Sequence, residues 1–290
     1  MNDYCIMTDS CCDLDPEMAQ EMDLTVLPLS LHMGTETYEN WLDGREISFT
    51  DFYRRVRAGE MPTTAAVSAG RFEDAMRQVL EDGRDILCIC FSSGLSATYQ
   101  SAVMAAEHLR PSFPERRIEV VDSLCASGGQ GLLLWLCVQE KRAGRSLPEV
   151  QEYAEEIKGH VCHWFTVDDL HHLKRGGRVN AATALLGTML SIKPVLHVDE
   201  AGCLVSMGKA RGRRASLLAL VDHMEATARE PEKQTVFLTH GDCREDAEFV
   251  AEELRRRLHV RDVRISYVGP VVGSHSGPGT LAMFFLGQPR

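Results

Sequence analysis

The 290-residue chain has none of the short motifs that mark the most familiar nucleotide and nucleophile sites. It contains no GxxxxGK[ST] and no GxGxxG, so a phosphate-binding P-loop and a dinucleotide fingerprint are both disfavoured. SGLSA does not fit the GxSxG nucleophile elbow, because alanine stands where that motif has its second glycine. No CxxC pair occurs among the ten cysteines, which argues against a paired-cysteine metal site and favours free buried thiols.

Long apolar runs and a surplus of basic residues are absent as well. No apolar stretch approaches the roughly 18 residues that a membrane-spanning helix needs. The net charge of −11 opposes binding to nucleic acid. The N-terminal MNDYCIMTDSCCDLD has neither a basic segment nor an apolar core of the secretory type. We therefore expect a cytoplasmic protein in a reducing compartment, with no transmembrane segment and at most transient membrane contact.

Apolar runs alternate with helical periodicity through the first half of the chain. YCIMTD, ILCICF and IEVVDS read as strands, each followed by a helical pattern. This alternation predicts an α/β fold with a mostly parallel sheet flanked by helices. After about residue 158 the pattern becomes more mixed: it includes a hairpin turning near residues 200–202 and a strand at VRISYVGPVV (263–272). We predict two α/β domains, 1–158 with a parallel sheet and 159–290 with a mixed sheet.

Two hydroxyl-rich segments are candidates for holding an anion. FSSGLSATYQSA (91–102) follows a strand and opens a helix, where unpaired backbone N–H groups favour negative charge. The alternative is that Ser96 only caps its own helix. In MPTTAAVS (61–68), Thr63 or Thr64 could donate to the same anion, or the segment could be a plain loop.

Three further segments carry polar or basic side chains beside glycines. HSGPGT (275–280) places His275 at the start of a predicted tight loop, where it could donate to an anion or serve as an acid or base. LKRGGRVN and MGKARGRRA are basic segments in an acidic chain, and include Arg178 and Arg211. They could form a local positive field, or be ordinary solvated segments.

Taken in order, these segments resemble the DegV family of bacterial fatty-acid-binding proteins. TDSCCDL, MPTTAAVS, FSSGLSATYQSA, VDSLCASGGQGLL, LKRGGRV, KPVLHVDEAG, KARGRRA and HSGPGTLA carry the resemblance. It implies a long-chain fatty acid in a buried tunnel near the domain junction, without metal or cofactor. It also implies a carboxylate held by Thr64, Ser93 or Ser96, and His275.

The resemblance further implies that the acid is presented to the catalytic subunit of a fatty acid kinase. Arg178 and Arg211 then serve architecture or partner contact, and Thr63, Gly94 and Gly277 are the other supporting positions. Two departures stand out: TTAAVS replaces the family's TSQPS, and Ala97 replaces a glycine. The TTAAVS departure bears on the identity of the exact ligand more than on the fold.

Two other functions compete with the carrier. One is an acyl hydrolase, in which Ser96 and His275 meet in space; the other is a regulatory lipid-sensing module. We take the carrier as the prediction and class the chain as a non-enzyme, because no serine stands beside an evident base. LAMFFL and a helix at about 182–189 are the candidate tunnel lining, with ordinary core as the alternative.

Overall fold

The computed structural model describes residues 3–179 and 192–290. The candidate lining helix at about 182–189 therefore lies outside the described residues. The strands are β1 (Tyr4–Asp9), β2 (Leu24–Leu27), β3 (Ser30–Met33), β4 (Glu36–Glu39), β5 (Thr63–Ala65), β6 (Asp85–Cys90), β7 (Ile118–Asp122), β8 (Val161–Thr166), β9 (Ile192–Val198), β10 (Leu204–Arg211), β11 (Thr235–His240), β12 (Asp262–Tyr267) and β13 (Leu281–Leu286). The α-helices are α1 (Pro16–Glu21), α2 (Phe49–Arg57), α3 (Ala69–Glu81), α4 (Thr98–Leu109), α5 (Gly128–Arg142), α6 (Leu147–Ile157), α7 (His171–Arg175), α8 (Arg213–Thr227), α9 (Arg244–Leu258) and α10 (Pro270–Ser276).

The first sheet has four strands in the order β2-β1-β6-β7, and all its neighbours are parallel. Every residue of β1 and β6 is buried, as expected for a sheet covered on both faces. Cys5 and Met7 share one apolar cluster with α3 and α4, whereas Tyr4 and Ile6 share the other with α5 and α6. The prediction of a parallel sheet flanked by helices is confirmed.

The second sheet has six strands in the order β10-β9-β8-β13-β11-β12. It is mixed, since β11 and β12 run parallel and the other pairs are antiparallel. The predicted mixed character and the hairpin between β9 and β10 are therefore confirmed. Helix α5, from the first half of the chain, packs against β8, β11 and β13. The domain boundary at residue 158 stays a prediction.

The structure corrects two local assignments. A small third sheet, in the order β4-β3-β5, was not predicted. Thr63–Ala65 forms a strand rather than a loop, and pairs with β3. The expected strand VRISYVGPVV ends at Tyr267, because Pro270 begins helix α10. His275 consequently lies in the last turn of a helix, which ends at Gly277 with φ of 81°.

All ten cysteines are free, and eight of them are buried. Within residues 3–179 and 192–290, no helix is long and apolar enough to cross a membrane. Over the same residues, no group of three or more His, Cys, Asp or Glu side chains is arranged to hold a metal ion.

Candidate functional site

A cavity of about 290 Å³ is bounded by the carboxyl end of the parallel sheet and by the inner face of the mixed sheet. Its wall is mostly apolar and includes Phe91 beyond β6, Phe165 on β8, and Val271 on α10. Ala282 and Phe284 on β13 also line it, whereas Leu281, Met283 and Phe285 of the same strand pack in a separate apolar cluster. A wall of this composition suits an apolar ligand.

Thr64 and His275 meet at the wall of this cavity. The hydroxyl Oγ1 of Thr64 lies 2.9 Å from Nε2 of His275, although 211 positions separate the two residues along the chain. Strand β5 fixes Thr64, whose neighbour across the strand pair is Leu31. If Nε2 carries the proton and donates to Oγ1, the threonine hydroxyl proton is left for an acceptor inside the cavity.

The half-buried ring of His275 lies beside a glycine that makes room for it. A Cβ on Gly176 would lie 2.2 Å from Nδ1 of His275, so only glycine allows this approach. Nδ1 itself has no hydrogen-bond partner among the described residues. Burial lowers the pKa of His275 to about 4, and the nearby charges of Arg178 and Arg175 add to this effect. The imidazole is therefore neutral at neutral pH.

Arg178 joins the His275 segment to the hydroxyl loop after β6. Its Nε donates to the carbonyl oxygen of Leu95 at 3.1 Å, and its Nη1 donates to that of Gly176 at 2.5 Å. Burial lowers the pKa of the guanidinium, which lines the cavity. These bonds tie Arg178 to the backbone of both segments, while its charge stays close to His275. We call Thr64, Ser96, Arg178 and His275 the polar end of the cavity.

Of the two candidate serines in the hydroxyl loop, Ser96 lines the cavity and Ser93 does not. Ser96 Oγ accepts from the Thr98 N–H at 3.2 Å and lies 2.9 Å from Thr98 Oγ1. Helix α4 begins at Thr98, later than a cap at Ser96 would place it. Ser93 is exposed, and its backbone N–H donates to Asp122. The geometry brings Ser96, but not Ser93, to the cavity.

The remaining predicted residues lie outside the cavity wall. Thr63 is exposed on β5, and Arg211 is exposed at the end of edge strand β10. Gly94 packs against the β9–β10 turn, where an added Cβ would lie 2.9 Å from Ala201 O. A Cβ on Gly277 would lie 2.4 Å from the ring of His172. The two glycines hold loops in contact, whereas a partner role for Arg211 stays a prediction.

Two serines of the cavity wall were missed by sequence reasoning. Ser276 is 5% exposed, follows His275 on α10, and its hydroxyl has no partner among the described residues. Ser127 lies at the start of α5 with φ of 53°, a conformation that is uncommon for a residue other than glycine. The run SGGQG was the available signal, because Cβ atoms on Gly128 and Gly129 would collide with Phe284 and His163.

The Ser127 hydroxyl belongs to a buried polar cluster behind the cavity wall. It donates to Oδ2 of Asp13 at 2.6 Å and lies 2.9 Å from Oγ1 of Thr239. Oδ1 of Asp13 accepts from the Gly269 N–H at 2.9 Å. Burial raises the pKa of Asp13 to about 7, against the lowering effect of these hydrogen bonds.

The fold and cavity define an α/β protein with two principal sheets, enclosing a mostly apolar chamber with hydroxyls and a neutral imidazole at one end. A family model described as "Uncharacterised protein, DegV family" matches residues 4–288. The chain belongs to the DegV family.

Individual relatives agree with this assignment. A DegV domain-containing protein of Clostridium perfringens is 42% identical over 290 residues, which cover 100% of this chain and 99% of the relative. A solved structure described as fatty acid binding by a DegV family protein from Thermus thermophilus is 30% identical, with a TM-score of 0.89 over 99% of this chain and 100% of the other. The Streptococcus pneumoniae fatty acid kinase B3 protein, loaded with linoleic acid, shares the fold at 21% identity, with a TM-score of 0.87 over 99% of this chain and 100% of the other.

Proposed function

We propose that this protein binds one long-chain fatty acid, with its tail in the apolar cavity and its carboxylate at the polar end. The observation that carries the proposal is the contact between Thr64 and His275 at the wall of a mostly apolar chamber. The relative from Thermus thermophilus, described as binding fatty acid, supports the same ligand class. Ser96 and the charge of Arg178 lie at the same end of the chamber.

The free energies assign different roles to the tail and the headgroup. Burial of roughly 14 methylenes contributes on the order of 11 kcal/mol before the costs of association are subtracted. Each hydrogen bond to a charged carboxylate adds about 1.5 to 3 kcal/mol. The tail therefore supplies most of the affinity, whereas the hydroxyls orient the molecule and distinguish an acid from an alkane.

Native mass spectrometry of the purified protein tests this proposal directly. We expect one added mass per chain, which organic extraction and chromatography identify as a long-chain acid. Delipidated protein should recover the same mass shift after incubation with oleic or stearic acid. Protein that stays unliganded after incubation with either acid would refute the proposal.

We further propose that the bound acid is presented to a fatty acid kinase, whose catalytic subunit supplies ATP. A carboxylate oxygen would attack the terminal phosphorus, forming an acyl phosphate and releasing ADP. Support comes from the shared fold with the kinase B3 protein and from the exposed face of edge strand β10. Lys209 and Arg211 are both exposed there, and they lie on one face because they are two positions apart and in regular register with β9.

Charge reversal on that strand tests the presentation step separately from ligand binding. The double variant Lys209→Glu and Arg211→Glu should lose acyl-phosphate formation with a cognate kinase while keeping its bound acid in native mass spectra. Unchanged phosphorylation would rule out this face as the kinase contact.

Hydrolysis of an acyl ester is less well supported by the same geometry. A hydrolase would need the Ser96 hydroxyl within hydrogen-bond reach of the His275 imidazole. Among the described residues, Ser96 is hydrogen-bonded to Thr98, and Nε2 of His275 is in contact with Thr64. Turnover of a p-nitrophenyl acyl ester that disappears in Ser96→Ala would favour hydrolysis over carriage.

A further inference from the structure

A second cavity, of about 160 Å³, shares no lining residue with the first. Its wall includes Asp13, Asn40 beyond β4, Trp41, His240 at the end of β11, and Tyr267 at the end of β12. The volume corresponds to about five water molecules at roughly 30 Å³ each, more than one bridging water needs. It is also smaller than the cavities that hold drug-sized ligands.

His240 presents a hydrogen-bond donor that nothing in the described structure satisfies. The side chain is 0% exposed, and its Nδ1 accepts from the backbone N–H of Cys243 at 3.3 Å. Burial and the charge of Arg244 lower the pKa of His240 to about 4, so the ring is neutral. Because a backbone N–H can only donate, Nδ1 is unprotonated and the proton lies on Nε2. Nε2 has no partner among the described residues.

Asn40 presents a second unsatisfied group on the same wall. The residue is 2% exposed, its Nδ2 donates to Ser10 Oγ at 3.1 Å, and its Oδ1 has no partner within the described residues. Turning the amide over would pair the oxygen with Ser10 and leave the nitrogen unpaired instead. Either way, one polar atom of a buried amide is unsatisfied, which is rare in folded proteins.

The other groups of this wall narrow the chemistry of a ligand. The ring centroid of Tyr267 lies 4.3 Å from that of His240 and 5.2 Å from that of Phe49. Trp41 adds a third aromatic side chain to the wall. Aromatic faces favour a flat molecule. Asp13, Asp15 and Arg244 are the charged residues of the wall; Arg244 is already paired with Glu248, and the raised pKa of Asp13 weakens its charge near neutral pH. A ligand without net charge therefore loses the least hydration.

We propose that this cavity binds a small, flat, uncharged heterocycle with an amide-type edge, of the size of a nucleobase. A carbonyl oxygen or ring nitrogen of the ligand accepts from Nε2–H of His240. A neighbouring polar atom pairs with the free amide atom of Asn40. The ring of the ligand lies against the aromatic side chains.

Two substitutions of His240 separate the proposed ligand contact at Nε2 from the hydrogen bond that Nδ1 accepts from the Cys243 N–H. In His240→Asn, the amide oxygen can replace Nδ1 and keep the bond from Cys243, whereas the Nε2 donor is lost. In His240→Gln, the longer side chain can return an N–H donor toward the position of Nε2. Loss of one buried hydrogen bond corresponds to binding that is about tenfold weaker.

The experiment is an NMR titration of ¹⁵N-labelled, acid-loaded protein with uracil, and separately with nicotinamide. We expect at least one probe to shift the His240 and Cys243 resonances saturably, with Kd below ~1 mM. His240→Asn should bind that probe about tenfold more weakly and His240→Gln within about threefold of wild type. No saturable shift with either probe, a cavity that holds water only, or equal affinities for wild type and His240→Asn would overturn the proposal.

Discussion

Replacing Thr64 by valine tests the polar end of the larger cavity with the least disturbance of the fold. Valine keeps the branched shape that suits strand β5, but has no hydroxyl to meet His275 at 2.9 Å. A carboxylate bound as proposed would lose one donor, and Nε2 of His275 would join Nδ1 in having no partner among the described residues. We therefore expect weaker binding of the acid together with a modest loss of stability.

The size of the effect follows from the charge on the ligand. A hydrogen bond to a charged group is worth about 1.5 to 3 kcal/mol, which corresponds to a roughly tenfold to hundredfold increase in Kd. A long-chain alcohol offers only a neutral headgroup, so its affinity should fall by about tenfold or less. The ratio of the two increases in Kd separates the contribution of the carboxylate from that of the tail.

Isothermal titration of delipidated protein with oleic acid, and then with oleyl alcohol, measures both losses. Thr63→Val is the matched control, because Thr63 is the neighbouring residue on β5 and is exposed outside the cavity wall. A Kd for oleic acid in Thr64→Val within about twofold of wild type would refute the assignment of Thr64 as a carboxylate donor.

Three further predictions use other parts of the structure. Ser96→Ala should weaken oleic acid binding about tenfold and Ser93→Ala by less than twofold in the same titration, because only Ser96 lines the cavity. Gly176→Ala should lower the free energy of unfolding by about 1 to 3 kcal/mol in urea and weaken acid binding, because its Cβ would lie 2.2 Å from Nδ1 of His275. Asp13 has a folded pKa of about 7 against 3.8 when unfolded, so protonation stabilises the fold below pH ~4, and this stabilisation is lost as pH rises through ~7. Asp13→Asn should therefore gain stability relative to wild type across that window, by an amount on the order of 4 kcal/mol.

Each of these predictions has a distinct contrary result. Equal losses from the two serine variants would mean that the cavity wall does not identify the ligand contact. Gly70→Ala is the control for Gly176, because an added Cβ there meets nothing within 4 Å. Gly70→Ala should be neutral or stabilising, because alanine lowers the entropy of the unfolded chain, and an equally mild effect of Gly176→Ala would rule out the clash with His275. A pH-independent difference between wild type and Asp13→Asn would show that the Asp13 carboxyl keeps its ordinary pKa.

Hydrophobic periodicity predicted the main elements of the fold because most of them are long and buried. Strands β1 and β6 are buried along their whole length and carry an unbroken apolar signal. Strands β4 and β5 have the sequences ETYE and TTA and are partly exposed, so neither alternation nor an apolar run marked them. The segment after β12 was misread as strand because its valines outweighed the helix-starting signal of Pro270.

Local sequence patterns predict less of the candidate site than of the fold. Nothing in the spacing of Thr64 and His275 indicates that they meet, and it was the family resemblance that paired them before the structure did. In LKRGGRV the sequence indicates only a basic segment, but its first glycine, Gly176, leaves room for the His275 ring. Asp13, Ser127 and Thr239 come together from three distant segments, and no motif connects them.

Asp13 belongs to both chambers of the molecule. It lines the smaller cavity, and its Oδ2 accepts a hydrogen bond from the hydroxyl of Ser127, which lines the larger one. Any occupant of the smaller cavity that changes the protonation of Asp13 also changes the free energy of a hydrogen bond in the wall of the other. If that bond changes the affinity of the larger cavity for its ligand, thermodynamic reciprocity requires that ligand to alter the affinity of the occupant by the same factor. A single buried carboxyl would make the two ligands each other's effectors.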